Sequence, residues 1–452
     1  MTTDQQSPDE LSEFADLLRD EQQFPARGSG VDPQVRRARR RRGWIITAVV
    51  FALLFGTVGG YVGWALTAPV AAPARVSRAP AAPVPEAASL ALPATGASAI
   101  SVAGGDPYLG PTASGIWATS GTDEPRAIAS ITKLITALVV LDAKPLADAA
   151  DPGPTITFDK ADHDLYDKYY VMGATIAAMP TGSTMSLRDA LATMLIPSAS
   201  NYAEAVSTWA FGSQGAFVSA TRRWLAAHGL VGTTIVEPTG ISASNTSTPS
   251  DLIALGRLAA AHPAIAQIVA TPALSLPGPG GMSNTNSLLG VDGITGLKTG
   301  NLGENSYNLL YTATLDVGAA EPLSVIGVAL GGATRQSVNA DVVRTLDSIR
   351  AGFQQVPLVA RGFEVGSYST PWGSTARVIV ADDASIFTWS DTPITVAMDT
   401  MTPKTYEDGE LVGSITWTAG PNTTSVALEI DGSIIPPTEW WRLTHPSKLG
   451  TK

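Results

Sequence analysis

The chain has 452 residues, 44% of them hydrophobic and 15% charged, which is enough apolar material for a buried core. It has no cysteine and only four scattered histidines (His163, His228, His262, His445), so disulfide scaffolds and thiolate metal sites are excluded and a histidine metal centre is not expected; no cofactor is implied. The formal charge is -11, and because the eight acidic and eight basic residues before Thr67 cancel, the excess lies in an acidic body, which argues against nucleic acid as a partner.

Residues 1–43 read as a tail. Ser7-Pro8-Asp9-Glu10 has the form of a capping box with proline at the first helical position, and Leu11, Phe14, Leu17 and Leu18 make a short apolar stripe. This predicts a transient amphipathic helix with no partner identified. The run RRARRRRG (Arg36 to Gly43) then leads into WIITAVVFALLFGTVGGYVGWAL (44–66), which has no charged residue. At about 1.5 Å per helical residue this segment crosses roughly 30 Å of hydrocarbon. Trp44 stands at one interface and Tyr61 and Trp64 at the other. Six arginines on one flank place that side in the cytoplasm, so the chain is expected to be a single-pass protein of the cell membrane with its body outside the cytoplasm. A cleaved signal peptide is the rival, since APVAAPA (Ala68 to Ala74) offers small residues. The apolar run is longer than a signal core, however, and a long tail precedes it.

Residues 67–97 are rich in proline and alanine and read as an extended spacer that cannot fold alone. Residues 98–357 mix periods. A short strand around Ile100 and Val102 has a neighbour at Ile116 to Ala118. Helices follow at Ser130 to Leu141, Ser186 to Leu195, Asn201 to Ala210, Gly215 to His228 and Pro249 to Ala261. Strand patterns return at Gly293 to Thr299, Tyr307 to Leu315 and Leu323 to Leu330, and a helix from Asn339 to Phe353 closes the region. Strands at both ends with helices between them predict one α+β domain whose sheet joins the two ends of its sequence. From residue 358 to 452, short β runs (ARVIVADD, ITVAMDT, LVGSITWTA, SVALEIDG) alternate with turn signals and predict a small β-sandwich, with Trp440 and Trp441 burying its open end.

Three short motifs carry chemistry. In SITKLITALVVL, Ile131, Leu134, Ile135, Leu138 and Val139 form a core-facing stripe, Ser130 sits where an N-cap would, and Lys133 lies one turn on. A lysine beside a serine hydroxyl acts as its general base once its pKa falls, and burial, a helix N-terminus or a second cation all lower it. Alone, the pair also reads as a capping serine and a solvated lysine. In MLIPSASNYAEA, a helix breaks at Pro197, and Ser198, Ser200 and Asn201 fall on the loop before the next helix; they either reach a cleft or cap that helix. In GLKTGNLG, Lys298 offers a cation and Thr299 a hydroxyl, while Gly300 permits close backbone approach. A strand edge so equipped suits an extended peptide ending in a carboxylate. A strand ending in a turn is the plain alternative.

The motifs come in the order SxxK, Ser/Asn loop, KTG, with gaps of about 65 and 100 residues. With IASITKLITAL, LRDALATMLIPSASNYAEA, SNTNSLL and GITGLKTGNLGENSYNLLYTA, the chain resembles the low-molecular-mass penicillin-binding proteins, the serine-type D-alanyl-D-alanine carboxypeptidases, over roughly Ser98 to Phe353. The resemblance implies the penicillin-binding-protein/β-lactamase-like transpeptidase fold. It also implies removal of the terminal D-alanine from peptidoglycan stem peptides through an acyl-enzyme on Ser130, and covalent inhibition by β-lactams. On the same ground Lys133 is the base, Ser198 relays a proton to the leaving group, Lys298 and Thr299 hold the substrate carboxylate, and the backbone N–H groups of Ser130 and Asn301 form the oxyanion hole. The family's loop is Ser-x-Asn, whereas here the same register gives Ser198-Ala199-Ser200 with Asn201 one position late. Either Ser200 substitutes, or the loop shifts Asn201 in, or activity is reduced. That departure keeps open a catalytically weakened penicillin-binding or wall-scaffold protein. A β-lactamase is disfavoured because no ExxLN-like stretch lies between the Ser198 loop and KTG.

Overall fold

The computed structural model describes residues 32–450; the helix expected at Ser7 to Leu18 lies outside them. The chain divides into two compact units, one made of residues up to 75 with 368–375 and 434 onward, the other of 76–367 and 376–433.

In the first unit, helix α1 (Pro33–Thr67) begins earlier than the apolar run requires. The Asp32 carboxylate accepts from the Gln34 N–H and Pro33 takes the first helical position, so the arginine run is wound into the same helix. Its apolar side chains, such as Phe55, are exposed. By itself it is the one helix among the described residues that is long and apolar enough to cross a membrane. The segment from 434 onward packs on its last turns. Tyr61 Oη donates to the Leu443 carbonyl at 2.6 Å, Arg442 donates to the Ala68 carbonyl at 2.8 Å, and Ala65, Ala68 and Leu449 are buried together. Trp441 stacks on His445 and lies edge-on to Trp372, but Trp440 is 75% exposed, contrary to the expectation that both tryptophans would be buried.

The second unit holds the sheet. Strands β1 (Ala97–Ala103), β2 (Ala118–Ser120), β3 (Ile294–Gly300), β4 (Tyr307–Leu315) and β5 (Leu323–Gly332) form five antiparallel neighbours in the order β3-β4-β5-β1-β2. The pairing of Val325 with Val102 and Ile326 with Ser101 joins the two ends of the region, as its strand pattern predicts. Both faces are buried, so successive residues serve different cores. Ala99, Leu310 and Val328 face one cluster; Ile100, Leu309 and Ala329 face the other. That is why these strands read as continuous apolar runs rather than as clean alternation.

On the first face lie α2 (Thr132–Ala143), α3 (Lys160–Val171), α4 (Leu187–Leu195), α5 (Ser200–Phe211), α6 (Gln214–Ala227), α7 (Pro249–Ala261) and α8 (Pro263–Val269). Helix α2 is buried on every side from Thr132 to Leu141, so it is the hub of this layer rather than a helix with one apolar stripe. A Cβ on Gly256 would sit 2.7 Å from Ile326 Cγ2, which shows how closely α7 lies on the sheet. On the second face, α9 (Arg335–Gly352) presents Val338, Val342, Leu346 and Ile349. It starts four residues before the expected Asn339, because Thr334 and Ser337 form a reciprocal capping box ahead of the apolar pattern.

The proline- and alanine-rich stretch is extended but not a free stalk. The Arg78 N–H donates to the Val365 carbonyl, the Ala88 N–H to Ser390 Oγ and the Ala91 N–H to Ser348 Oγ, while Leu90 and Leu92 pack on the sheet's second core. Chain after α9 forms β6 (Phe353–Val359), β7 (Glu364–Ser369), β8 (Thr375–Val380), β9 (Ala384–Trp389), β10 (Ile394–Thr400), β11 (Leu411–Ala419) and β12 (Asn422–Asp431). A sheet with β7-β8-β12-β11-β10 as neighbours carries the β6-β9 pair alongside it. Phe353, Phe387, Trp389 and Tyr108 join this β-rich part to the first region through ring contacts of 4.9–5.8 Å.

Candidate active site

Ser130 does not cap α2. It lies in a 3-10 turn (Ala129–Ile131) just before the helix, and its hydroxyl is left for other partners. Ala129 holds a left-handed φ of 51°, which turns the chain sharply into that hydroxyl. Lys133 is completely buried, and its three bonds are directional: Nζ lies 3.0 Å from Ser130 Oγ and 3.3 Å from Ser200 Oγ, and donates to the Thr239 carbonyl at 2.7 Å. Burial pushes the amine down to about 7, against a raising influence from Glu237. At neutral pH a large fraction of Lys133 is therefore a free amine beside a hydroxyl, the state a general base requires.

The expected loop resolves differently from its sequence reading. Helix α4 ends at Leu195, Ser198 sits in the turn at φ 74°, and Ser200 and Asn201 form the first turn of α5 rather than the loop before it. Ser198 and Ser200 line the cleft. Asn201 does not: its side chain is fully buried, accepting from the Ala177 N–H at 3.1 Å and donating to the Ala177 carbonyl at 2.8 Å. It staples the 173–178 segment, whose Thr175 carbonyl accepts from the Ser200 N–H and whose Gly173, Ala174 and Thr175 form one wall of the cleft. Ser200, at the register of the asparagine in Ser-x-Asn, faces Lys133 from the cleft.

Strand β3 supplies the opposite wall. Lys298 is buried and its Nζ donates to Thr285 Oγ1 at 3.2 Å; Thr299 Oγ1 donates to the same oxygen at 2.7 Å. Burial first, then Lys133, then Arg335, pushes the Lys298 amine well below its ordinary range. Gly300 lies so close to the Ser130 turn that a Cβ there would be 2.5 Å from the Ile128 carbonyl oxygen and 3.3 Å from the Ser130 nitrogen. Thr299, Gly300 and Asn301 line the cleft, with the Asn301 side chain turned to accept from the Gly303 N–H. The cleft encloses about 190 Å³.

Two lining residues escaped sequence reasoning. Thr285 receives Lys298 and Thr299 and, through its carbonyl, an Arg335 N–H at 3.4 Å. Its signal was the polar cluster Asn284-Thr285-Asn286, in which each asparagine oxygen accepts from a backbone N–H two residues on. Arg335, in the first turn of α9, is the one arginine lining the cleft among the described residues, and its guanidinium offers a fork of N–H donors to an anion. Nothing local marks it. Together these groups present a hydroxyl with a basic amine on one wall and a cation with hydroxyls on the other, an arrangement suited to acyl transfer on a substrate ending in a carboxylate.

Comparison with known proteins bears on the same segment. The sequence model of the D-alanyl-D-alanine carboxypeptidase family matches residues 112–333. A D-alanyl-D-alanine endopeptidase of Pseudomonas aeruginosa is 33% identical over 196 residues, covering 42% of this chain and 60% of that one. The D-alanyl-D-alanine carboxypeptidase DacF of Bacillus subtilis is 26% identical over 258 residues, covering 56% and 63%. The chain thus spans less than two thirds of the length of these curated relatives. Penicillin-binding protein 6B from Escherichia coli superposes with a TM-score of 0.51 at 19% identity, over 78% of this chain and 97% of that one, and shares the fold.

Proposed function

We propose that the protein, whose residues 112–333 match the D-alanyl-D-alanine carboxypeptidase family, is a serine D,D-carboxypeptidase that removes the terminal D-alanine from peptidoglycan stem peptides. The observation that carries this reading is the placement of the buried Lys133 amine 3.0 Å from Ser130 Oγ. Lys133 takes the hydroxyl proton as Ser130 Oγ attacks the penultimate D-alanine carbonyl. Backbone N–H groups of Ser130 and Asn301 stabilise the oxyanion. The C–N bond then breaks, the proton reaches the departing amine through Ser198, and water hydrolyses the ester on Ser130. Lys298, Thr299 and Arg335 hold the terminal carboxylate. A carboxylate beside Lys298 restores the charge that burial suppresses, so binding and protonation are coupled there. Ser200 stands in for the family's asparagine, and Gly300 keeps β3 against the Ser130 turn.

On this reading β-lactams acylate Ser130 as substrate mimics. Helix α1 is a single-pass anchor with the arginine-rich end in the cytoplasm and the body outside it, facing the cell wall. The organisation we propose is a tail at 1–43, a spanning segment at 44–66, a linker at 67–97, the catalytic domain at 98–357 and a β-rich domain at 358–452. A second reading is favoured by the name of the Pseudomonas relative, a D-alanyl-D-alanine endopeptidase: the same site would cut within a cross-linked dimer rather than at the free end of a stem. Incubation with a free pentapeptide and with a cross-linked dimer separates them. Release of D-alanine from the pentapeptide, abolished by Ser130→Ala, is expected. Cleavage of the dimer alone would replace the first reading with the second.

A further inference from the structure

Beneath Lys133 lies a device that the acyl-transfer residues do not explain. The segment Glu237-Pro238-Thr239-Gly240 runs as a turn against the start of α2. Thr239 gives its carbonyl to Lys133 Nζ at 2.7 Å, and the Pro238 carbonyl accepts from Thr136 Oγ1 at 2.8 Å. A Cβ on Gly240, at φ 81°, would fall 2.0 Å from the Ala129 carbonyl oxygen, so the turn is seated directly on the residue preceding Ser130. One carboxylate holds it there. Glu237 Oε2 accepts from the Thr239 N–H at 2.7 Å and Thr239 Oγ1 at 2.6 Å; Oε1 accepts from the N–H groups of Gly240 at 2.7 Å and Ser242 at 3.2 Å and from Asn245 Nδ2 at 2.9 Å. Five donors converge on two oxygens, close to the limit of what a carboxylate accepts.

We infer that Glu237 is a positioning residue for the acylation step: by gathering the backbone N–H groups of the 237–242 turn it aims the Thr239 carbonyl at Lys133 and so fixes the amine against Ser130. The inference rests on the acyl-transfer reading of the cleft and names a residue that reading leaves out. Glu237 also acts through charge. It counters the burial that lowers Lys133. The other ionisable groups around the turn are Tyr169 of α3, whose hydroxyl is hydrogen-bonded to Glu204 and held far above its ordinary range by burial, and Lys168, paired with Glu204. Lys298 and Arg335 are the remaining basic side chains at the cleft. Among the described residues, Glu237 is the group whose negative charge opposes the effect of burial on Lys133.

The test is the rate of acylation by a fluorescent penicillin against pH, using the full chain in detergent, for wild type, Glu237→Gln and Glu237→Asp. Glutamine keeps the size but sets an amide N–H against donors and removes the charge. It is expected to lower the plateau rate about tenfold or more. It is also expected to move the acid limb about one pH unit lower, because without the carboxylate the amine deprotonates more easily. Aspartate keeps the charge, so its limb stays at the wild-type pH while its plateau falls. A folded Glu237→Gln protein with both limb and plateau unchanged, or with a lowered plateau and an unmoved limb, overturns the inference. Should that variant fail to fold, Thr239→Val, which removes one hydroxyl donor, is expected to lower the plateau severalfold with the limb in place, and an unchanged plateau overturns it. A wild type that takes no label overturns the acyl-transfer reading itself.

Discussion

Lys133 should make the active site expensive to fold, and replacing it with methionine should show by how much. Its amine falls from an ordinary 10.5 to about 7, chiefly through burial. At about 1.4 kcal/mol per unit, the penalty for burying the cation is about 5 kcal/mol at pH below 7. The sign follows from proton counting. Between pH 7 and 10.5 the unfolded chain carries a proton that the folded chain lacks, so wild-type stability rises with pH by up to about 1.4 kcal/mol per unit. Below 7 the penalty is constant and complete; above 10.5 it is gone. Lys133→Met removes the penalty but leaves the Thr239 carbonyl without its Nζ donor, which costs about 1–3 kcal/mol. The variant should therefore be more stable than wild type by about 2–4 kcal/mol at pH 7 and lose that lead by pH 10. Denaturant unfolding followed by near-ultraviolet circular dichroism at pH 6 to 10 measures it. Parallel stability curves for the two proteins would refute the burial argument.

Gly300→Ala puts a Cβ 2.5 Å from the Ile128 carbonyl oxygen and 3.1 Å from Ala129 Cβ, so β3 must retreat from the Ser130 turn. The expected outcome is a stability loss of about 1–3 kcal/mol and acylation slowed about tenfold to a hundredfold, read by fluorescent-penicillin labelling. Asn201→Ala orphans the buried N–H and carbonyl of Ala177 and should cost about 2–4 kcal/mol. Faster amide hydrogen exchange at 173–178 is the accompanying signature, and slowed acylation without it would show that Asn201 reaches the substrate after all. Arg335→Gln should raise KM for peptides ending in a free carboxylate about tenfold or more while altering kcat far less; an unchanged KM removes Arg335 from substrate binding.

The sheet and its closure were legible because β3, β4, β5 and β1 are apolar runs bounded by glycine and polar turns. What stayed hidden depended on packing across the sequence. The α2 stripe gave no hint that the whole helix would be enclosed, since a buried face and a buried cylinder share their strongest positions. The Pro/Ala stretch reads as a spacer by composition, yet single hydrogen bonds at Ala88 and Ala91 and the packing of Leu90 and Leu92 lay it on the body. In the site, Ser130, Lys133, Ser200 and Lys298 were visible as spaced motifs. Asn201 was misplaced by one helical step: joining the first turn of α5 swings its side chain to Ala177. Glu237 and Arg335 carry no local pattern, because a carboxylate that organises a turn and a guanidinium that enters a cleft from another helix are defined by partners distant in sequence.

The account turns on Ser130 being a hydroxyl that Lys133 can activate and that Lys298 and Arg335 can supply with a substrate. Mass spectrometry of the intact protein after incubation with penicillin, followed by peptide mapping, tests this most directly. One penicilloyl adduct located on Ser130 in the wild type, and none in Ser130→Ala, is the predicted result. An adduct on another residue, or equal labelling of the variant, would contradict it.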